Sequence, residues 1–337
     1  MRYLFQLLPH PNVHYRASQA MLGSAELSSM LHALNIEAQV VVQTLGGAEF
    51  LCFEADTLSE EKVSRLARHS SLLMLCEEAA EGTLRPLSIL RKDYLSRELA
   101  EVLKYKGKTS ATFTRMMLNM ACAAAGVLAA EKTPTVLDPI CGRGTTLFCA
   151  LEMGMNAVGL DVDCNDLQEA MRYFSRYCTM KKLKHNLKQG SETCGDVAVP
   201  SATYTLADTR EHYAAGETRM LRLFHGDTAL AGRLVRKARA DVLVADLPYG
   251  VQHAPQAGRK PEGFRQLLKR ALPAWQIALR PGGAAAISFN TLTLKRRELQ
   301  QLMEEAGFIV LEDAPYGKLE HFVEQAVTRD VIIAKAE

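Results

Sequence analysis

Apolar runs of strand length and runs of helical period take turns along the first 80 residues. Residues 3–8 form an apolar strand, and residues 25–34 set Leu27, Met30, Leu31 and Leu34 on one helical face. A second strand over 38–44 meets Gly46-Gly47, a hairpin signal that leads into a strand at 49–54. Ser59 stands where an N-cap belongs, ahead of a helix over 59–69, and 71–76 reads as a last strand. The order β-α-β-β-α-β predicts a small N-terminal α+β domain of ferredoxin-like type over residues 1–86. Residues 87–130 read as a polar, basic linker followed by a lead-in helix over 110–130, apolar at Phe113, Met116, Met117, Met120 and Ala124.

From residue 134 the pattern becomes alternating strand and helix, which predicts an α/β domain over 131–337 with a doubly wound, Rossmann-like parallel sheet. Strands are expected at 134–138, 156–161, 221–225, 240–245 and 284–288, and an antiparallel hairpin of 308–311 with 326–334 at the sheet edge. Residues 181–207 are polar with weak periodicity and read as an insertion or long loop.

Composition narrows the class. The chain has 337 residues, 48% hydrophobic and 23% charged, which excludes a disordered chain. No apolar run approaches the ~20 residues of a membrane span, and the N-terminus lacks the pattern of a signal peptide. Eight cysteines without a Cys-x-x-Cys pair argue against a structural zinc site or a disulfide framework, so no metal and a reducing cytoplasm are expected. Residues 1–86 carry six Lys/Arg against ten Asp/Glu, and residues 87–190 carry fifteen against ten. A polyanion would be drawn to the middle of the chain.

Candidate chemistry sits at the expected strand ends. Asp138-Pro139-Ile140-Cys141-Gly142-Arg143-Gly144-Thr145 runs from a strand through a glycine turn into a helix. Such a turn lets backbone approach a ligand and aims helix N–H groups at it, although an ordinary βα turn has the same signature. It is neither a Walker A loop nor a complete dinucleotide motif. Asp161, at the next strand end, suits ribose hydroxyls or a helix cap, with Asp163 the better cap. Asp227-Thr228 follows the third strand and suits an adenine amine or a turn. Asp246-Leu247-Pro248-Tyr249 ends the fourth. An exocyclic amine on a nucleobase is a poor nucleophile. The Asp246 carboxylate and Leu247 carbonyl can accept its hydrogens, Pro248 can fix the turn, and Tyr249 can stack on the base. A strand-end turn with a core tyrosine is the bland alternative, and the succession of these segments along one sheet edge favours the site.

With those residues, the chain resembles class I S-adenosylmethionine-dependent amino-methyltransferases, and more narrowly the putative RNA methylase family that includes THUMP-bearing tRNA guanine-N2-methyltransferases. The likeness spans about residues 104–337 and includes Lys106-Gly107-Lys108-Thr109 and the helix that follows. It implies S-adenosyl-L-methionine as cofactor, with Asp138, Gly142 and Gly144 at its methionine end and Pro139, Cys141 and Thr145 among the cofactor-binding residues. Asp161 would then lie at the ribose, Asp227 and Thr228 at the adenine, and Asp246, Leu247, Pro248 and Tyr249 at the target amine. The family places proline where this chain has Leu247, which removes some rigidity, and residues 1–86 are too short for a complete THUMP module. Arg172, Arg176, Lys181, Lys182 and Lys184, with Tyr173, Phe174 and Tyr177 interleaved, read as an RNA-contacting face or as a solvated helix with its aromatics turned inward. The expected activity is methylation of guanosine N2 in tRNA. Methylation of adenine N6 or cytosine N4 in DNA, and a non-catalytic cofactor- or RNA-binding protein, are the competing readings. A partner subunit is left open by the sequence.

Overall fold

The computed structural model describes residues 1–89, 91–103, 105, 107–248 and 263–337. The N-terminal sheet is built from β1 (Arg2–Leu7), α1 (Val13–Ala33), β2 (Val41–Leu45), β3 (Ala48–Glu54), α2 (Glu60–Leu66), β4 (Leu72–Glu78) and β5 (Leu84–Pro86). Its order, β2-β3-β1-β4-β5 with every pairing antiparallel, is the expected ferredoxin-like arrangement extended by one short strand. Ser59 caps α2 through the N–H of Lys62, as expected. Helix α1 starts twelve residues ahead of the expected one, where the Asn12 side chain accepts from the N–H groups of His14 and Tyr15.

Two helices lead onward, α3 (Glu98–Val102) and α4 (Ala111–Ala124). The larger unit comprises β6 (Thr135–Asp138), α5 (Thr145–Glu152), β7 (Asn156–Asp161), α6 (Cys164–Met180), β8 (His185–Cys194), β9 (Val197–Leu206), α7 (Arg210–Ala214) and β10 (Arg219–His225). It continues through α8 (Ala231–Leu234), β11 (Ala240–Asp246), α9 (Phe264–Ala278), β12 (Leu279–Asn290), α10 (Arg296–Glu305), β13 (Phe308–Val310), β14 (His321–Glu324) and β15 (Val327–Ala336). The sheet order is β13-β15-β12-β11-β6-β7-β10-β9-β8, with β14 paired to β15. Strands β10, β7, β6, β11 and β12 run parallel, and β15 and β9 close the two sides antiparallel. The expected edge pair β13/β15 is present, with β14 between them in sequence.

Residues 181–207 correct the sequence reading. They form the hairpin β8–β9, which adds two strands beyond β10. Most of β8 is exposed, so it has no apolar face to announce it.

Alternation along the parallel strands covers both faces of the sheet. Val136, Ala157, Leu221, Val242 and Ala284 face α4, α5, α6 and the N-terminal unit in one core. Leu137, Val158, Phe224, Leu243 and Ala285 face α9 and α10 in the other. The N-terminal unit therefore shares its core with the larger sheet. A polar knot at the same junction joins Glu26 of α1, Ser70, His69 and Asn119 of α4.

Candidate active site at the carboxyl edge of the parallel sheet

The chain order reverses between β6, which has β7 and β10 on one side, and β11, which has β12 on the other. Crevices at such a reversal, beyond the carboxyl ends of the strands, bind ligands in open parallel sheets. Asp138 ends β6, Asp161 ends β7 and Asp246 ends β11, so the three acids meet there. Asp138 is only 4% exposed. Burial, against hydrogen bonds from Thr146 and the N–H of Ile140 (3.2 Å), pushes its carboxyl up to about 7, and the charges of Asp161 and Asp246 add to the rise.

The glycine loop follows from local chemistry. Gly142 (φ 48°) and Gly144 (φ 86°) both occupy left-handed backbone, which L side chains adopt at a cost. Gly144 is the N-cap of α5, the helix expected after the glycine turn. The N–H of Gly142 donates to Asp161 Oδ2 at 2.7 Å, and the N–H of Asp163 to Asp161 Oδ1 at 2.9 Å. Burial holds the Asp161 carboxyl above its ordinary range despite these two bonds. Asp163 caps α6 through Asn165 and Asp166, which leaves Asp161 as the loop-bound acid. Cys141 is buried and its backbone N–H bonds Leu160 O at 3.0 Å, so the residue fastens the loop to β7. Pro139 is buried beside it.

Gly159, which the sequence pattern does not single out, holds the loop against the sheet. A Cβ there would lie 2.5 Å from Leu147 Cδ1 and 2.8 Å from Cys141 Sγ. Gly159→Ala is expected to destabilise the protein by about 1–3 kcal/mol, read by denaturant unfolding; an unchanged midpoint would show that the loop gives way freely.

Asp246 Oδ2 accepts a hydrogen bond from the hydroxyl of Thr109, which precedes α4 and lies 137 residues away in sequence. Tyr105 reaches the same edge. Its hydroxyl is 3.0 Å from Thr145 Oγ1, and its ring lies under the Arg143 guanidinium at 4.8 Å. Arg143 also pairs with Asp166 and Glu169 at 2.8 and 2.7 Å. Lys108 anchors this lead-in by donating to the carbonyls of Ala100 and Leu103. The connector thus borders both the glycine loop and Asp246. No local pattern marks Tyr105 or Thr109 for that role, since their partners are distant in sequence.

Leu247 is 2% exposed in the α9-side core, and its N–H donates to Ser288 O at 2.9 Å, carrying the β11/β12 ladder one residue past the strand. A proline here would lose that bond. Leucine therefore keeps the turn in place through pairing and packing rather than through a ring. Pro248 follows, partly exposed. Tyr249 lies outside the described residues.

Asp227 takes up the turn role, one of its two expected roles. Oδ1 caps a short 3₁₀ turn through the N–H of Ala229 (2.9 Å) and pairs with Arg270 (2.7 Å). Burial would raise its carboxyl, but these contacts hold it below the ordinary range. The hydroxyl of buried Thr228 accepts from Trp275 Nε1 at 2.8 Å, so Thr228 is engaged with the core.

The basic stretch resolves into separate parts. Arg172, Arg176, Lys181, Lys182 and Lys184 are exposed, while Phe174 and Tyr177 are buried and the Tyr173 hydroxyl bonds Leu99 O at 2.7 Å. The expected interleaving of aromatics with charge at the surface is corrected: the rings face the core, because helical periodicity sends them to one side and the arginines to the other. Lys181 pairs with Glu98 at 2.5 Å. Lys182 and Lys184, with His185 and Arg210, line an open cavity of about 590 Å³ beyond the C-terminal end of α6. Helix α6 has 17 residues, so this cavity lies roughly 25 Å from the Asp161 edge.

Among the described residues, no helix is long and apolar enough to cross a membrane. No protein-family model matches the chain. It is 24% identical over 237 residues to the tRNA (guanine(10)-N2)-dimethyltransferase of Methanothermobacter thermautotrophicus, an alignment covering 66% of this chain and 56% of that protein. The chain thus spans little more than half the length of the curated relative it matches. Similar solved structures include TrmN from Thermus thermophilus (18% identity, TM-score 0.40, 89% of this chain and 60% of that one). Another is the T. thermophilus 16S rRNA guanine-N2 methyltransferase RsmC (16% identity, TM-score 0.39, 94% and 71%).

Proposed function

We propose that this protein is an S-adenosylmethionine-dependent methyltransferase that acts on the exocyclic N2 amine of a guanosine in RNA, with tRNA as the substrate class. The observation that carries this reading is the meeting of Asp138, Asp161 and Asp246 around a left-handed glycine loop at the reversal point of a parallel sheet. The name of the aligned archaeal enzyme supports the choice of RNA guanine.

The site chemistry suits the cofactor. S-adenosylmethionine carries an ammonium and a sulfonium, and when bound it supplies a methyl carbon made electrophilic by the positive sulfur. Asp138 and Asp161, the first of them buried, favour a cation of that kind. Asp161 and the loop N–H groups offer a ribose and carboxylate cradle, and Asp227, just past the end of β10, is the candidate acceptor for the adenine amine.

At the other side of the crevice, Asp246 accepts one amine hydrogen and the Leu247 carbonyl accepts another. Together they orient the nitrogen lone pair and stabilise the positive charge that develops on it. As the N–C bond forms and the S–C bond breaks, the proton becomes acidic and leaves to Asp246 or water. No strong general base is required. The Thr109 hydroxyl, bonded to Oδ2, fixes the carboxylate plane.

The polymer is tested by incubating the full chain with methyl-labelled cofactor, undermethylated tRNA and unmethylated DNA. Label released by ribonuclease but not by deoxyribonuclease supports RNA, and the reverse assigns DNA.

Asp138 makes the cofactor site pH-dependent. With its carboxyl near 7, it is mostly protonated at pH 6 and mostly ionised at pH 7.5, and only the ionised form attracts the cation. Affinity for S-adenosylmethionine is expected to rise roughly fivefold to tenfold over that interval. For folding the sign is opposite. A carboxyl raised from 3.8 to about 7 by burial weakens the folded state as pH climbs between those values. A flat affinity profile, or a rise that persists in Asp138→Asn, would remove Asp138 from the site.

A further inference from the structure

A second pocket lies on the opposite side of the sheet. A cavity of about 190 Å³ opens between the N-terminal unit and the amino ends of the parallel strands. Its wall includes Arg65, Arg68, Lys132 and Arg219, and Glu131 is its one acid among the described lining residues. Leu128, Met153 and Met155 supply an apolar floor. Pro134 borders it, so Asp138, four residues on at the end of β6, lies about 13 Å away along the strand.

The cations are held in place. Arg65 donates to Leu128 O at 3.2 Å and meets Glu61 only at 3.7 Å. Arg219 lies over the Tyr94 ring at 4.5 Å, with Nε bonded to Gly154 O at 2.5 Å. Arg68 is partly buried, and among the described residues no hydrogen bond or ion pair reaches its guanidinium. The nearby acid Asp93 is engaged by Arg97 at 3.1 Å. A desolvated cation beside two other guanidiniums is costly unless an anion joins it.

We propose that this cavity is a phosphate-binding site, in which a tetrahedral oxyanion is held by Arg65, Arg68 and Arg219 with Lys132 at the mouth. Planar guanidinium forks match phosphate oxygens in pairs, and the apolar floor strengthens the attraction. The phosphate is either free, as the ion or a small phosphomonoester, or part of an RNA backbone that crosses from this face toward the catalytic edge. The site rests on its own geometry and stands apart from the methyl-transfer reading.

Titration of the full chain with inorganic phosphate at constant ionic strength is the first arm, with chloride as reference. Saturable one-to-one binding is expected, weakened by about tenfold or more in Arg68→Gln. Lys132 is exposed, so Lys132→Gln leaves the fold intact; a loss of roughly threefold is expected from this rim charge. The second arm measures tRNA affinity against salt. A backbone phosphate is indicated if Arg68→Gln weakens tRNA and lowers the salt slope by about one; phosphate binding with unchanged tRNA affinity indicates the free anion. S-adenosylmethionine affinity, measured in parallel, should be unaffected in both variants. Phosphate that fails to bind, together with tRNA affinity identical in wild type, Arg68→Gln and Lys132→Gln, overturns the proposal.

Discussion

Asp246→Ala is expected to lower the rate of methyl transfer by about 10²–10³-fold while changing S-adenosylmethionine affinity less than about threefold. Asp246 ends β11, whereas the cofactor loop belongs to the β6–α5 turn and is tied to β7 through Asp161. Removing the carboxylate therefore strips an acceptor from the target amine and leaves the cofactor cradle intact. Charge develops on nitrogen only as the methyl group arrives, so the loss appears in kcat more than in KM. Thr109→Val should give a smaller defect of the same kind, because the carboxylate remains but loses the bond that fixes its plane. Thr109→Ser should restore it. Equal loss of cofactor affinity and rate in Asp246→Ala would place Asp246 in the cofactor site or in the fold.

The second large effect concerns stability. Glu26 is fully buried in α1, and its carboxylate accepts from the Ser70 N–H (2.8 Å), the Ser70 hydroxyl (2.5 Å) and Asn119 Nδ2 (2.6 Å), with His69 Nε2 at 3.3 Å. The N–H of Ser71 donates to His69 Nδ1, so the ring proton is assigned to Nε2, facing Gly23 O and Glu26. This knot pins α1 to α4, and α4 carries the lead-in to the catalytic edge. Glu26→Ala would take the shared acceptor from three donors in a dry interior, leaving the Ser70 N–H with none, and a loss of about 3–5 kcal/mol is expected in denaturant unfolding. Glu26→Gln keeps one acceptor and should lose less. A change in Glu26→Ala below about 1 kcal/mol would mean that water or a shifted side chain satisfies the knot.

Both effects depend on contacts that sequence order hides. Repeating apolar positions made the strands legible, because a strand buried on both faces needs consecutive apolar residues, as the parallel strands and β1, β3 and β4 have. Strand-end acids and glycines were legible because α5 starts where the glycine turn ends. The start of α1 was not, since buried Gln19 and Gly23 interrupt the apolar stripe of its first half. Hairpin β8–β9 was missed for a related reason: as an outer strand with most residues exposed, β8 carries no period-2 pattern. The Tyr105 and Thr109 contacts arise only when the connector folds back across the sheet edge. Leu247 shows a different limit. Its departure from the family proline looks like a loss of rigidity until the bond to Ser288 and its core packing are seen.

The central claim is that the carboxyl edge of this sheet carries a methyl group to a guanosine amine. Its most direct test is mass-spectrometric nucleoside analysis of undermethylated tRNA after incubation with the wild-type chain and isotopically labelled S-adenosylmethionine. Label is expected in N2-methylguanosine, or in its dimethylated form, and about 10²–10³-fold more slowly with Asp246→Ala. Label confined to any other nucleoside, or no label from a protein that binds the cofactor, would contradict that claim.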